Sequence, residues 1–356
     1  MKLGPYQVGT EHPPIFLAEI GSYFNGDYEL ARNMMETILK AQEMVPHQPV
    51  VLKTEILNDP EICLPCDLEE TYTCKSGEIR KENYRELIER KCMPLSEYEK
   101  LFTMLNQAKM PFIVSVYDFT AVDFATKHGA CALKIASANI VHIPLIRYAA
   151  SKKLPLVIDT GRSTIAEVFN AVNTARDAGC QDIMIQHSPD GHPASAEAHN
   201  LRLLQTYSQC FNLPVGLSCH HTGCEMLYIS IALGASILEK GVHVRPDELD
   251  QDISHTMGID DLPQVLQAVY DSWVALGKSE RNLRTPIKGV IGSSQRQCVV
   301  AKKSLNAGDT ISLDNVRFAF PCKGIPVQQW DLVLGMKVKA KIDADQPVKW
   351  EHVELV

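Results

Sequence analysis

Between Pro214 and His243 the chain reads PVGLSCHHTGCEMLYISIALGASILEKGVH, and three residue types in this stretch could do chemistry. A neutral imidazole such as His220 is the commonest protein ligand for a divalent metal, and a carboxylate such as Glu239 at the end of an apolar run is costly to bury without a partner. Ser218 adds a hydroxyl beside them. Adjacent histidines such as His220 and His221 also occur in plain polar turns, so types alone do not decide. The pattern predicts a buried strand over 215–218, a polar turn with both histidines, an apolar helix over 226–233 and a second strand over 237–239. Ser218, His220 and Glu239 then sit where neighbouring parallel strands end, which is where α/β folds place their chemistry. Period-2 alternation continued past Glu239 puts Gly241 and His243 on its face, so His220 and His243 are expected to share one cavity.

The rest of the chain supplies the frame. Apolar runs predict strands over 15–20, 50–53, 112–116, 132–135, 156–159 and 183–186, alternating with helices over 28–42 and 96–108, one ending at 128, and helices over 145–151, 165–177, 201–209 and 262–275. Asp27 is placed to cap the first helix. Eight strands, each followed by a helix, over about 275 residues is the count and length of a (β/α)8 TIM barrel. A doubly wound open sheet is the alternative, but no glycine-rich dinucleotide turn follows the first strand. Strand C-termini converge on one mouth, and the polar residues there are Glu19, Lys53, Ser115, Lys134 with Ser137, Asp159 with Thr160, His187 with Ser188, Ser218 with His220, and Glu239. Two lysines and several hydroxyls around one cavity suit a phosphate or carboxylate ligand.

Residues 57–94 are polar and rich in Glu, Lys and Cys without a clear period, so they read as a long loop beside the site. Cys63, Cys66, Cys74 and Cys92 lie in it, but only one pair has zinc-site spacing, and free thiols are expected throughout the eleven cysteines. The barrel domain is expected over 1–276, a polar linker over 277–297 and a small mostly-β domain over 298–356, with strand material at 299–301, 332–338 and 347–350. A net charge of −8 argues against nucleic acid or an anionic membrane as partner. No run is long and apolar enough to span a membrane, and the start lacks the pattern of a signal peptide, so a cytoplasmic protein is expected.

The order of motifs resembles the sialic acid synthases, which condense phosphoenolpyruvate with an N-acyl amino sugar. AEIG at 18–21 with Gly26 and Asp27 looks like the family's opening. Lys53, KIAS at 134–137, Thr160 with Gly161, SCHHTG and ALGASILEK follow at similar spacing. The last stretch, from VVAKKSLNAGDTISLDNV through PCKGIP to LVLGMKVKAKI, resembles the family's antifreeze-like (SAF) domain. The resemblance implies that Lys53, Ser115, Lys134, Ser137, Ser218 and Glu239 hold phosphoenolpyruvate, that Glu19 is a catalytic carboxylate near the acceptor and that His220 is the first metal ligand. It also implies a homodimer in which the SAF domain of one chain lies over the other's barrel mouth. Departures are specific: the family's Asn-His after the first strand is Tyr23 and Phe24, its second metal histidine is Gly241, and a C-terminal arginine is Phe320. HSPDGHP at 187–193 also lacks the usual threonine and tyrosine. The donor half of the site looks retained and the acceptor half altered.

These observations predict an enzyme joining phosphoenolpyruvate to an aldehyde sugar to give a 2-keto-3-deoxy sugar acid, with His220, Glu239 and Glu19 catalytic. A divalent metal, Mn2+ or Mg2+, is expected on His220 with His243 in place of the residue missing at Gly241. Two other readings stay open: a Schiff-base aldolase using Lys134, and a non-catalytic sugar-binding protein.

Overall fold

The eight apolar runs close on themselves. In the computed structural model, which describes residues 1–247, 249–279 and 296–355, they form strands β1 (Ile15–Gly21), β2 (Val50–Glu55), β3 (Phe112–Ser115), β4 (Ala132–Ile135), β5 (Leu156–Asp159), β6 (Ile183–His187), β7 (Val215–Cys219) and β8 (Ala235–His243). Each pairs in parallel with the next, and β8 pairs with β1, which completes a TIM barrel. Helices cover it: α1 (Tyr28–Met44), α2 (Leu95–Gln107), α3 (Phe119–Lys127), α4 (Ile143–Ser151), α5 (Ile165–Asp177), α6 (Leu203–Phe211), α7 (Glu225–Ala232) and α8 (Leu262–Leu276). Asp27 caps α1, its carboxylate accepting from the Leu30 amide at 3.0 Å.

Alternation along the strands separates two cores. Ile15, Leu17, Val51, Ile113, Ala132, Val157, Met184 and Ile237 pack together inside the barrel, with Leu3 from an N-terminal hairpin beneath them. Phe16, Ala18, Leu52, Leu133, Ile158, Ile185 and Leu238, one position along, pack against the helices. The next inward positions are Glu19, Lys53, Lys134, Asp159, Gln186 and Glu239, all buried. An apolar floor therefore carries a charged layer directly above it.

Residues 57–94 are not the unstructured loop expected. Glu69–Thr73 and Ile79–Asn83 form an antiparallel hairpin that turns at Gly77, with φ of 88°, and the helix Tyr84–Lys91 follows. Both hairpin strands are so polar that Tyr72 is their one buried apolar side chain, which is why no alternation marked them. Cys63, Tyr72, Leu87 and Ile88 make a small core there, with Cys74 and Cys92 packed on it. All eleven cysteines are free.

A second compact unit, Lys278–Val356, follows the barrel unit Met1–Gly277. Residues 280–295, most of the expected linker, lie outside the described residues. The second unit holds antiparallel pairs Cys298–Ala301 with Val316–Ala319 and Lys337–Val338 with Val353–Glu354, around Val299, Leu305, Ile311, Ile325 and Ile342. The strand expected over 332–338 is half wrong, because Trp330–Val333 is a helical turn that ends before Gly335, at φ of 84°. Pro347 contributes a single bridge to Val300 rather than a strand, and Val316–Ala319 was not anticipated. No helix among the described residues is long and apolar enough to cross a membrane.

Candidate active site

The charged layer is one connected network. Glu19 and Lys53 are register partners on β1 and β2, and the Lys53 ammonium donates to Glu19 Oε1. It also donates to Glu55 Oε1 at 3.0 Å and stands 3.7 Å from Glu239 Oε1. The Lys134 ammonium donates to both oxygens of Glu239, at 2.6 and 2.7 Å, and lies 2.9 Å from Asp159 Oδ2. Gln186 Nε2 and Ser218 Oγ donate to Glu239 at 2.9 and 3.4 Å. Glu239 is thus the hub that both lysines share.

Two ammonium groups face four carboxylates, and burial decides who keeps a proton. Desolvation lifts Glu19 to about 7 against the pull of Lys53, with Glu239 adding repulsion. It lifts Asp159 to about 6 in the same way, against Lys134. Glu239 goes the other way: burial would raise it, but Lys134 and Lys53 together hold it below its ordinary value. Burial would lower Lys134, yet Asp159 and Glu239 outweigh it and keep the ammonium more firmly protonated than usual. Lys53 is held the same way by Glu19, Glu55 and Glu239. One lysine divided among three carboxylates is stabilised more than any one of them, so Lys53 and Glu19 both shift upward though they are paired.

Around this network several buried polar atoms have no partner: Ser115 Oγ, Thr160 Oγ1, Asp159 Oδ1 and Gln186 Oε1. Ser137 Oγ accepts from the Gly161 amide at 3.0 Å, and a Cβ on Gly161 would come within 2.5 Å of that oxygen, so a glycine is needed for the contact. Ser115, Ser137, Ser218, Lys53, Lys134, Glu19 and Glu239 are thereby gathered in the barrel's upper half.

His220 and His243 have different partners. The His220 ring lies 4.5 Å, centroid to centroid, from both His192 and His255, which are themselves 5.2 Å apart. His192 comes from the β6 loop, and His255 ends a short 3-10 helix, Asp252–His255, after β8. His192 Nε2 is 3.7 Å from Asp252 Oδ1. Burial holds His220 and His255 well below the usual imidazole range, so both are neutral. His243 instead engages Thr256 Oγ1 through Nδ1 at 2.8 Å and lines a small cavity with Tyr23, Leu30 and Ile253. The alternation that pointed it toward the mouth holds for Glu239, but the turn after β8 brings Thr256 against the strand and takes up the ring.

The same turn explains Gly241. A Cβ there would meet Thr256 Cγ2 at 2.5 Å and the Tyr23 hydroxyl at 2.9 Å. Tyr23 fills the space that a larger residue would need, and Phe24 has gone into the core, edge-on to Tyr98 at 6.4 Å. Further residues were invisible as candidates. Glu55 was missed because β2 runs two residues past Lys53. Lys240, pointing out of the barrel, donates to the His221 and Gly223 carbonyls and so shapes the turn that carries His220. Its signal was a buried charge next to Glu239 in the strand, which period-2 alternation assigns to the other face.

Four segments are fastened in two pairs at this end, the loops after β6 and β7 to each other and the 57–94 insertion to the segment after β8. The Ala194 amide donates to the His220 carbonyl at 2.9 Å. From the 57–94 insertion, Arg90 donates to the Leu249 carbonyl at 2.8 Å, Lys91 pairs with the buried Asp250 at 2.7 Å, and Lys75 donates to the Thr256 carbonyl.

The fold and its mouth, buried lysines on a glutamate beside a histidine cluster, are those of a (β/α)8 barrel with its polar residues gathered at the strand C-termini. The chain belongs to the NeuB family, whose model matches residues 52–281, and residues 296–354 match the SAF domain. It is 26% identical over 360 residues to the N,N'-diacetyllegionaminic acid synthase of Legionella pneumophila, covering 97% of this chain and 96% of that one. It is 28% identical over 360 residues to the N-acetylneuraminate-9-phosphate synthase of Mus musculus, covering 98% and 94%. The crystal structure of an N-acetylneuraminic acid synthetase from Leptospira borgpetersenii superposes with a TM-score of 0.68 at 22% identity, over 81% of this chain and 92% of that one.

Proposed function

We propose that the protein condenses phosphoenolpyruvate with the aldehyde of an open-chain sugar, giving a 2-keto-3-deoxy sugar acid and phosphate. The observation that carries this is the pair of buried lysines on one glutamate, with unpartnered hydroxyls of Ser115 and Thr160 beside them. Both relatives named above are sugar-acid synthases, which supports the same substrate class.

Lys53 and Lys134, with Ser115, Ser137 and Ser218, bind the donor's phosphate and carboxylate through charge-assisted contacts. Glu239 fixes both ammonium groups in position. C3 of the donor attacks the aldehyde carbon, and Glu19, whose hold on its proton burial strengthens, gives that proton to the aldehyde oxygen. The carboxylate left behind takes a proton from the water that adds at C2, and the tetrahedral species expels phosphate. A divalent ion held at His220 would supply Lewis-acid polarisation of the aldehyde carbonyl, and the neutral imidazoles and orphaned ring nitrogens there fit such a group.

A Schiff-base aldolase needs Lys134 as the free amine, but its two carboxylate neighbours hold it as an ammonium. Phosphate release from phosphoenolpyruvate across a panel of sugar aldehydes tests the proposal; no release with any of them, or a borohydride-trapped adduct on Lys134 with a keto acid, would overturn it. The proposal extends to a homodimer in the cytoplasm, supported by the likeness to sialic acid synthases. Solution scattering that returned a monodisperse monomer at micromolar concentration would remove the dimer.

A further inference from the structure

We propose that the metal site of this chain has moved: its ligands are His220, His192 and His255, with Asp252 as a fourth, and neither position 241 nor His243 takes part. This rests on the condensing-enzyme reading only for what the ion does, since the ligand set is argued from the cluster itself.

Four observations carry it. The ligand atoms of His192, Asp252 and His255 all lie within 4.8 Å of one another, and the His220 ring stands 4.5 Å from two of the three. Donors bound at about 2.1 Å to one ion stand roughly 3 to 4 Å apart, so small ring rotations bring these groups to binding distance. His220 Nδ1 and His255 Nδ1 are both buried without a hydrogen-bond partner. Two adjacent orphaned ring nitrogens are expensive in a protein interior, and a shared cation satisfies both at once. His192 is the exposed member, which leaves one side of the cluster open to a substrate oxygen.

The remaining observations close the alternatives. At Gly241 any side chain collides with Thr256 and Tyr23, and His243 Nδ1 is already engaged by Thr256 Oγ1. Lys75, Arg90 and Lys91 of the insertion bind the segment that bears Asp252 and His255, so this loop is held in place from outside the barrel. Three imidazoles and one carboxylate form a nitrogen-rich set, which selects a first-row transition ion over Mg2+, since Mg2+ prefers oxygen ligands and holds its waters.

The test is metal binding by the full chain after stripping with chelator and dialysis. Mn2+ titration followed by the electron paramagnetic resonance of the free ion should give one bound ion per chain, not displaced by millimolar Mg2+. His255→Ala and His192→Ala should each weaken binding by at least about tenfold, and His243→Ala should leave it unchanged. Because a cavity at His255 could impair folding, Cu2+-loaded wild-type protein gives a second readout, in which electron spin echo modulation should show more than one coordinated imidazole. Wild-type affinity in His255→Ala, loss of binding in His243→Ala, or a single coordinated imidazole would overturn the proposal. Phosphate release is measured separately, so a chain that binds the ion as described yet releases no phosphate would refute the condensing reaction and leave the site standing.

Discussion

The lysine–carboxylate network and the histidine cluster share one barrel mouth but are built differently. Lys53, Lys134, Asp159, Gln186 and Glu239 stand on strands, each two residues beyond an apolar floor position, and the hydrogen-bonded ring of strands fixes their spacing. His192, Asp252 and His255 stand on loops, held by contacts from neighbouring loops and from the insertion. A site on strands has few ways to vary without breaking the barrel, whereas a loop site can exchange one ligand for another at modest cost. Of the departures from the sialic acid synthase pattern within the barrel, Tyr23, Phe24 and most of the 187–193 segment lie in loops, whereas Gly241 lies in β8, facing Tyr23.

Breaking the strand-built half should have the largest effect. Lys134→Ala leaves Glu239 and Asp159 buried without their shared cation, so we expect kcat/KM for phosphoenolpyruvate to fall on the order of 10² to 10³ and unfolding free energy to drop by about 3–5 kcal/mol. Steady-state kinetics and urea denaturation check the two parts; full turnover by this variant would dissolve the distinction between the halves.

Wild-type protein should show an inflection near pH 7 in its rate profile, and Glu19→Gln should abolish it and lower kcat by roughly 10² or more. The same group makes stability depend on pH. With its native pKa raised from the ordinary 4.5 to about 7, the folded state holds the proton more tightly than the unfolded one. Its contribution is therefore full below pH 4.5 and is lost as pH rises through 7, and melting curves of the two proteins should converge toward acid pH.

Donor binding sharpens the comparison further. An incoming phosphate and carboxylate raise the negative charge around Glu19 and Asp159, which already lean toward protonation, so binding should take up protons. Calorimetry in two buffers of different ionisation enthalpy should report uptake of a fraction of a proton near pH 7, and tighter binding as pH falls toward 6. Zero proton linkage would mean that the carboxylates do not sense the donor.

The smallest expected effect is that of Ser115→Ala. Its hydroxyl is buried and has no protein partner, so removal should cost the fold almost nothing while raising the donor KM by about three- to tenfold, the worth of one hydrogen bond. A drop in melting temperature with unchanged KM would make Ser115 a packing residue.

How much of this the sequence disclosed follows the same division. Alternation with period 2 exposed Lys53, Lys134, Asp159 and Glu239, because a charge that follows an apolar run at an inward position has nowhere else to point. Glu55 escaped because Thr54 and Glu55 resemble the start of a loop, although Thr54 is fully buried. His192 and His255 lie in segments without periodicity, and nothing in a single chain says that two such loops meet. His243 shows the limit of alternation: the face was right for its strand, but a partner 13 residues later claimed the ring.

Tyr23 and Gly241 interlock, and that restricts the order in which this site can change. Restoring a histidine at 241 alone drives its Cβ into the tyrosine and Thr256, while shrinking Tyr23 alone opens a hole beside a glycine that cannot fill it. Each single step is a loss, and the trade needs Thr256 to give way as well as Tyr23. A library that samples positions 23, 241 and 256 independently will therefore discard all three, and sequences able to place a metal ligand at position 241 are reached only by changing Tyr23, Gly241 and Thr256 together.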